Sequence, residues 1–171
     1  MNKSSQGLGK GMIYVAWLFA LGLLTLFFNH FLEQQENPNQ VLRTQYHQDG
    51  SREIVLKRNR NGHYVATGTI NDESVVFFLD TGATMVSIPE KIALRLNLQR
   101  GSPIRASTAN GMITTYSTKL DKIALGEIEL QNVRASINPH HNADEILLGM
   151  SFLKDLEFTQ RGDKLTLRQY R

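Results

Sequence analysis

The chain opens with an unbroken apolar stretch and then changes texture. From Met12 to Phe28 it reads MIYVAWLFALGLLTLFF, without a charge and with Thr25 as the one clearly polar residue. A helix over residues 11–32 would be about 33 Å long at 1.5 Å per residue, enough to cross a bilayer core of about 30 Å. A core helix would carry a polar stripe, and this stretch has none. A cleaved signal peptide would have small residues directly after the apolar run, whereas Phe27, Phe28, Asn29, His30 and Phe31 stand there. Ala20 and Gly22 lie inside the run. The pattern predicts one uncleaved transmembrane signal anchor, with Tyr14 and Trp17 toward one end.

Residues 33–50 are polar and nearly devoid of apolar periodicity, which predicts a tether holding a domain off the membrane. From residue 51 to 171 short alternating segments are punctuated by turns. Val55 and Leu56 precede a turn at Asn61-Gly62, and residues 64–70 precede another at Asn71-Asp72. The continuous run from Val75 to Leu79 predicts a strand buried on both faces. Ile92, Ala93, Leu94 and Leu96 predict one short helix over residues 89–96, with Pro89 near its first turn. A hairpin tipped by Asn110-Gly111 follows, then a strand pair around Gly126 and the run Ile146-Leu147-Leu148-Gly149. A last hairpin turns at Gly162-Asp163, with Leu156 and Phe158 facing Leu165 and Leu167 by alternation. The order strand, turn, strand, apolar run and glycine occurs at residues 63–82 and again at 122–149. The domain is thus mostly β and small, with two copies of one unit suggesting a pseudo-symmetric barrel.

Composition narrows the chemistry. At 171 residues the chain holds one ordinary domain plus an appendage. The absence of cysteine excludes a disulfide framework, a thiolate zinc site, an iron–sulfur cluster and a cysteine nucleophile. The basic pI of 9.3 invites a nucleic-acid reading, but with Lys3 and Lys10 set aside the 19 basic residues fall to 17 against 16 acidic ones. A phosphate-tracking surface needs a local excess. The cluster Arg52, Lys57, Arg58 and Arg60 is interrupted by Glu53 and reads as the solvated face of a strand and its turn, so no nucleic-acid partner is expected. Lys3 and Lys10 precede the apolar helix, and Glu33 and Glu36 follow it. That bias predicts a cytoplasmic tail over residues 1–10 and everything after residue 32 outside the cytoplasm. In a cell with two membranes the helix would sit in the inner one, with the domain in the periplasm.

The informative stretch is Val75-Val76-Phe77-Phe78-Leu79-Asp80-Thr81-Gly82-Ala83-Thr84. A carboxyl directly after five apolar residues emerges from the end of a buried strand, where burial disfavours its charged form unless hydrogen bonds compensate. Gly82 permits a sharp turn, and the Thr81 hydroxyl can brace it. The same three residues would also suit an Asp that simply caps a turn.

These flanks match the aspartic protease signature, an apolar strand running into Asp-Thr-Gly and then Ala-Thr. The region resembles the retropepsin family, and in particular its bacterial membrane-anchored members. Leu147-Leu148-Gly149, followed by Met150-Ser151-Phe152-Leu153, matches the family's second apolar-apolar-Gly element. Thr108-Ala109-Asn110-Gly111 falls where the family carries its flap hairpin. The resemblance covers residues 52–168 and implies a small closed acid-protease barrel behind the membrane helix. The family mechanism needs two carboxylates, and this chain has one such motif: Asp49-Gly50 lacks the apolar strand, and Asp163 lies in a hairpin turn. The resemblance therefore implies a homodimer in which Asp80 of two protomers forms the site, acting on a peptide or protein substrate without metal or cofactor. It implies a bracing hydrogen bond across the dimer for Thr81 beside Gly82. Ala83, Thr84, Ala109, Asn110, Gly111 and Met112 are its candidate substrate contacts. Because Ala83 has no hydroxyl to donate toward the aspartate, a less acidic optimum is expected than for a Ser-bearing relative. A domain of this kind that binds peptides or dimerises without cleaving them is the alternative.

Other residues point less sharply. His140 and His141 with Asp144 and Glu145 resemble a metal cluster, but adjacent histidines on a strand point to opposite faces, and a solvated loop is expected. Arg161-Gly162-Asp163 sits where a hairpin needs a turn. Ser87, Ser107, Ser117 and Ser151 show no base nearby that would mark a nucleophile.

Overall fold

The computed structural model describes residues 4–108 and 111–170, and the chain divides into two units, Met1–Gln35 and Glu36–Arg171. Helix α1 (Ser4–Glu36) makes up the first. Every side chain from Gly11 to Gln34 is exposed, so this helix is apolar on all sides and is not the core helix of a globular fold. Its hydroxyl at Thr25 donates to the Leu21 carbonyl at 2.8 Å, which leaves no polar group of that side chain seeking water. Gly11–Glu36 is long and apolar enough to cross a membrane.

The second unit is built from strands β1 (Thr44–Tyr46), β2 (Arg52–Lys57), β3 (Val65–Ile70), β4 (Glu73–Leu79), β5 (Val86–Pro89), β6 (Pro103–Thr108), β7 (Gly111–Leu125), β8 (Ile128–Asn138), β9 (Ile146–Leu148), β10 (Glu157–Arg161) and β11 (Lys164–Gln169). Two short helices, α2 (Glu90–Arg95) and α3 (Met150–Leu153), interrupt them. The larger sheet runs β3-β4-β9-β5-β8-β7-β6, and β3 also pairs with β7. That extra pairing closes β3, β4, β9, β5, β8 and β7 into a ring, the small barrel expected from the sequence. The residues filling it include Phe77, Ile88, Leu120, Ile123, Leu125, Ile128, Ile146 and Leu148, all with no exposed surface.

The internal repeat has a structural meaning. The β3–β4 hairpin takes β9 as its parallel neighbour, and the β7–β8 hairpin takes β5 in the same way. Each half of the barrel thus completes the other. Asn71 and Asp72, both at positive φ, form the tight β3–β4 turn whose twist suits a two-residue hairpin.

Four local expectations are revised. Strand β4 buries Val75 and Phe77 but leaves Val76 and Phe78 half-buried, with the His63 ring 4.8 Å from that of Phe78. A continuous apolar run here marks one core face and one covered by a loop side chain. Besides α2, a second single turn, α3, follows Gly149. In the last hairpin Phe158 does pair with Leu167, but the whole of β10 is exposed, and Leu165 faces Gln160 instead of Leu156.

The fourth revision concerns the tether. Helix α1 runs on to Glu36, and β1 then pairs with β2 in a smaller antiparallel sheet of order β1-β2-β11-β10. Between them Asn37 and Asn39 are buried. The Asn39 side chain accepts the Lys57 N–H at 2.7 Å and donates to the Lys57 and Val65 carbonyls at 2.9 and 2.7 Å. Its carbonyl accepts the Thr67 N–H, and Asn37 donates to the Thr67 hydroxyl at 2.9 Å. This segment joins the fold largely through amides, with Leu42 as its apolar contact to the core, so hydropathy gives little sign of it.

Candidate active site

Strand β4 delivers Asp80 to the end of the barrel. Opposite it on β3, Gly68 leaves space that the Phe77 ring and the Ala124 carbonyl occupy, which lets β4 pack close. Leu79 is in parallel register with Leu148 of β9, and the Asp80 N–H donates to the Leu148 carbonyl at 3.2 Å. The chain then turns: the Ala83 N–H donates to the Asp80 carbonyl at 3.2 Å, and the Gly82 N–H donates to Asp80 Oδ1 at 2.9 Å. The loop that follows the carboxyl therefore orients it.

The same loop is fastened to the second glycine element. The Met150 N–H donates to the Ala83 carbonyl at 2.8 Å, and the Ser151 hydroxyl accepts the Val86 N–H at 3.0 Å. Gly149 is buried between them, and a Cβ there would press on the carbonyl oxygens of both Ala83 and Met85. The sequence-predicted residues Asp80, Thr81, Gly82, Ala83 and Thr84 are thus one loop, held by Leu148, Gly149, Met150 and Ser151. Asp80 and Ala83 are half-buried, while Thr81, Gly82 and Thr84 are exposed. What sequence reasoning missed is the Met85 carbonyl beside Gly149 and the bracing role of the Ser151 hydroxyl. Backbone contacts of this kind leave no side-chain signal.

The remaining predicted residues lie in a different element. Strands β6 and β7 form an exposed hairpin in which Thr108 pairs with Gly111 and Ser107 with Met112. The Thr108 hydroxyl donates to the Gly111 carbonyl at 2.8 Å, Gly111 takes a φ of 111°, and Met112 is 58% exposed. Ala109 and Asn110, the expected tip, lie outside the described residues. At the base of the hairpin the Arg100 guanidinium sits 4.1 Å from the Tyr116 ring centroid.

Near His140 and His141, Asp144 pairs with Lys91 at 2.6 Å, and that hydrogen bond and charge hold its carboxyl below the usual range. Among the described residues no three histidine, aspartate or glutamate side chains are grouped to hold a metal. Arg161-Gly162-Asp163 forms the β10–β11 turn, with Gly162 at a φ of 61°.

A closed β-barrel whose strand end carries Asp-Thr-Gly, docked on a second apolar-apolar-Gly element, is the architecture of a retropepsin-like aspartic protease. Residues 66–155 match the family described as "gag-polyprotein putative aspartyl protease", and the chain belongs to that family. It is similar to a crystal structure of a retropepsin-like aspartic protease from Rickettsia conorii, with a TM-score of 0.57 and 25% identity over 75% of this chain and 95% of the other. An uncharacterized protein in the cobV 5′ region of a Sinorhizobium species is 29% identical over 97% of this chain and 77% of its own. An uncharacterized protein of Rickettsia prowazekii is 30% identical over 60% of this chain and 45% of its own.

Proposed function

We propose that the protein is a membrane-anchored aspartic endopeptidase whose active site forms from Asp80 of two protomers. The observation that carries this reading is the Asp80 loop. Its carboxyl is held at the barrel's end by the Gly82 N–H, while Thr81 and Gly82 beside it are exposed and open to a second loop. One such loop per chain suits an isologous pair, in which each protomer contributes the same carboxyl. Residues 11–32 would hold both protomers in one plane and raise their effective concentration. The tail of residues 1–10 would lie in the cytoplasm and the β unit outside it.

Two carboxyls at about 3 Å share one proton, because both cannot ionise readily. The ionised one takes a proton from a bound water as the water oxygen attacks the scissile carbonyl carbon. The protonated one gives its proton to the carbonyl oxygen, forming a neutral tetrahedral diol. The carboxyl that took the water's proton then gives it to the amide nitrogen, the other carboxylate takes a proton from a diol hydroxyl, and the C–N bond breaks to release the amine as the carbonyl re-forms. Thr81 would brace the two loops against each other. Gly82, Ala83 and Thr84 would border the extended peptide, and the hairpin from Ala109 to Met112 would cover it. No metal or cofactor enters these steps.

The test uses the full chain in lipid nanodiscs, as wild type and as Asp80→Asn, with a diverse peptide mixture from about pH 4 to 8. Cleavage by the wild type that disappears in the variant, with fold and dimer retained, supports the proposal. A folded wild-type dimer that binds peptides without cutting them selects a peptide-binding module instead.

A further inference from the structure

The outer face of the smaller sheet is graded in charge along its strands. In register across β2, β11 and β10, Lys57 aligns with Lys164 and Lys164 with Arg161. All three are exposed. The next row on this face is Val55, Thr166 and Thr159, and the one after it is Glu53, Arg168 and Glu157. One end thus carries three cations abreast, and the other alternates acid, base and acid. With strands about 4.8 Å apart, the three cations fall within about 10 Å. Like charges directly opposite destabilise a sheet, yet among the described residues none of the three is in an ion pair. Beyond the row the backbone N–H of Arg58 donates to the Asp163 carbonyl at 2.8 Å, tying the turn after β2 to the turn before β11.

The chain path tells which end of the sheet this is. Glu36 opens the second unit. Its carbonyl accepts the Asn59 side-chain amide at 3.0 Å, and its carboxylate lies 3.4 Å from the Arg60 guanidinium. The cationic end is therefore the end at which the chain arrives from α1. Leu32, the last residue of the proposed span, precedes Glu36 by only four residues of sequence.

We infer that the row of Lys57, Lys164 and Arg161 is a docking surface for the anionic phospholipid headgroups of the bilayer that the chain itself enters. The inference rests on the membrane-anchor reading of residues 11–32. Asp163 stands in the adjoining turn and Glu36 is met by Arg60, so the three cations remain in excess. A bilayer surface offers phosphates spread over a plane, which suits cations abreast on a flat sheet, and each basic side chain near such a surface adds to the attraction. The unfavourable row is then neutralised in its working environment. Docking would also fix how the β unit is turned on the membrane, so that two protomers meet in a shared orientation.

The experiment compares the full chain in nanodiscs of phosphatidylcholine alone and with about a third phosphatidylglycerol, read by amine acylation and mass spectrometry. Lys57 and Lys164 are expected to react several-fold more slowly over the anionic lipid. Lys91 and Lys119 should not change, and about 0.5 M salt should restore the reaction. A Lys57→Glu, Arg161→Glu variant should lose the lipid effect at Lys164. Resistance to alkaline extraction is measured in the same samples. A chain that resists extraction but labels equally in both lipids overturns the docking surface alone. A chain that extracts overturns the anchor, and the docking surface with it. Protection of Lys57 and Lys164 that grows with protein density in either lipid shows a second copy covering the row, which also overturns the proposal.

Discussion

A side chain at Gly149 would place its Cβ 2.6 Å from the carbonyl oxygen of Ala83, the same carbonyl that accepts the Met150 N–H. The position thus decides how closely the α3 turn can approach the Asp80 loop. Two backbone carbonyls, those of Ala83 and Met85, block any Cβ, and neither can swing aside as a flexible side chain would.

Gly149→Ala should therefore displace the loop instead of being absorbed. Overpacking against fixed backbone costs about 3 kcal/mol at the upper end of its usual range. The expected result is a lower urea midpoint with an unchanged slope, together with loss of peptide cleavage. Unchanged stability would show that the loop has slack the contacts do not suggest.

If the site needs Asp80 from two protomers, mixing distinguishes it from a one-chain site. Wild type co-assembled with an equal amount of Asp80→Asn chain should retain about a quarter of the wild-type activity, since only dimers with two intact copies are complete. At the same total chain concentration, retention of about half would mean that each chain carries its own site, and about three quarters that one carboxyl per dimer suffices.

Ala83 lies in the Asp80 loop and has no hydroxyl. In Ala83→Ser a donor near the carboxyl pair would favour ionisation, so the acid limb of the pH–rate profile should move to lower pH. A profile that stays or moves upward would count against this role.

Asn39 links β2 of the smaller sheet to β3 of the larger one. Asn39→Ala would strand the Lys57 N–H and the Val65 carbonyl in a buried place, which costs about 2–4 kcal/mol. A fragment beginning at Ser51 should consequently fail to fold, whereas one beginning at Glu36 should fold. Circular dichroism and amide dispersion by NMR separate the two.

Acid stability should depend on Asp49. Hydrogen bonds from the Ser51 hydroxyl and backbone N–H, and then the Arg168 charge, hold its carboxyl below the usual range. Arg168 also donates to the Ser51 hydroxyl at 2.8 Å and to Asp49 Oδ2 at 2.9 Å. A lowered folded-state value stabilises the protein above the unfolded value, and that contribution is lost as pH falls through the folded one. Thermal midpoints of wild type and Asp49→Asn should differ at pH 7 and converge as the pH falls below the usual carboxylate range. A gap that is constant with pH would assign the effect to packing.

What the sequence by itself determined was local. The apolar run of α1, the turns at Asn71-Asp72 and Gly162, the helix after Pro89 and the Asp-Thr-Gly loop were all legible, because hydrophobic period, turn chemistry and a contiguous motif act between near neighbours. The tertiary structure decided what depends on partners far along the chain. Asn37 and Asn39 read as solvated tether until Lys57, Val65 and Thr67 supply their hydrogen bonds. Gly149 and Ser151 become supports of the Asp80 loop only because parallel pairing sets β9 beside β4. Lys57 looked like part of an ordinary solvated face, and it becomes part of a cationic row only when β11 and β10 bring Lys164 and Arg161 alongside. Hydrogen-bond complementarity and strand register are properties of the assembled sheet, and no window of sequence contains both sides of them.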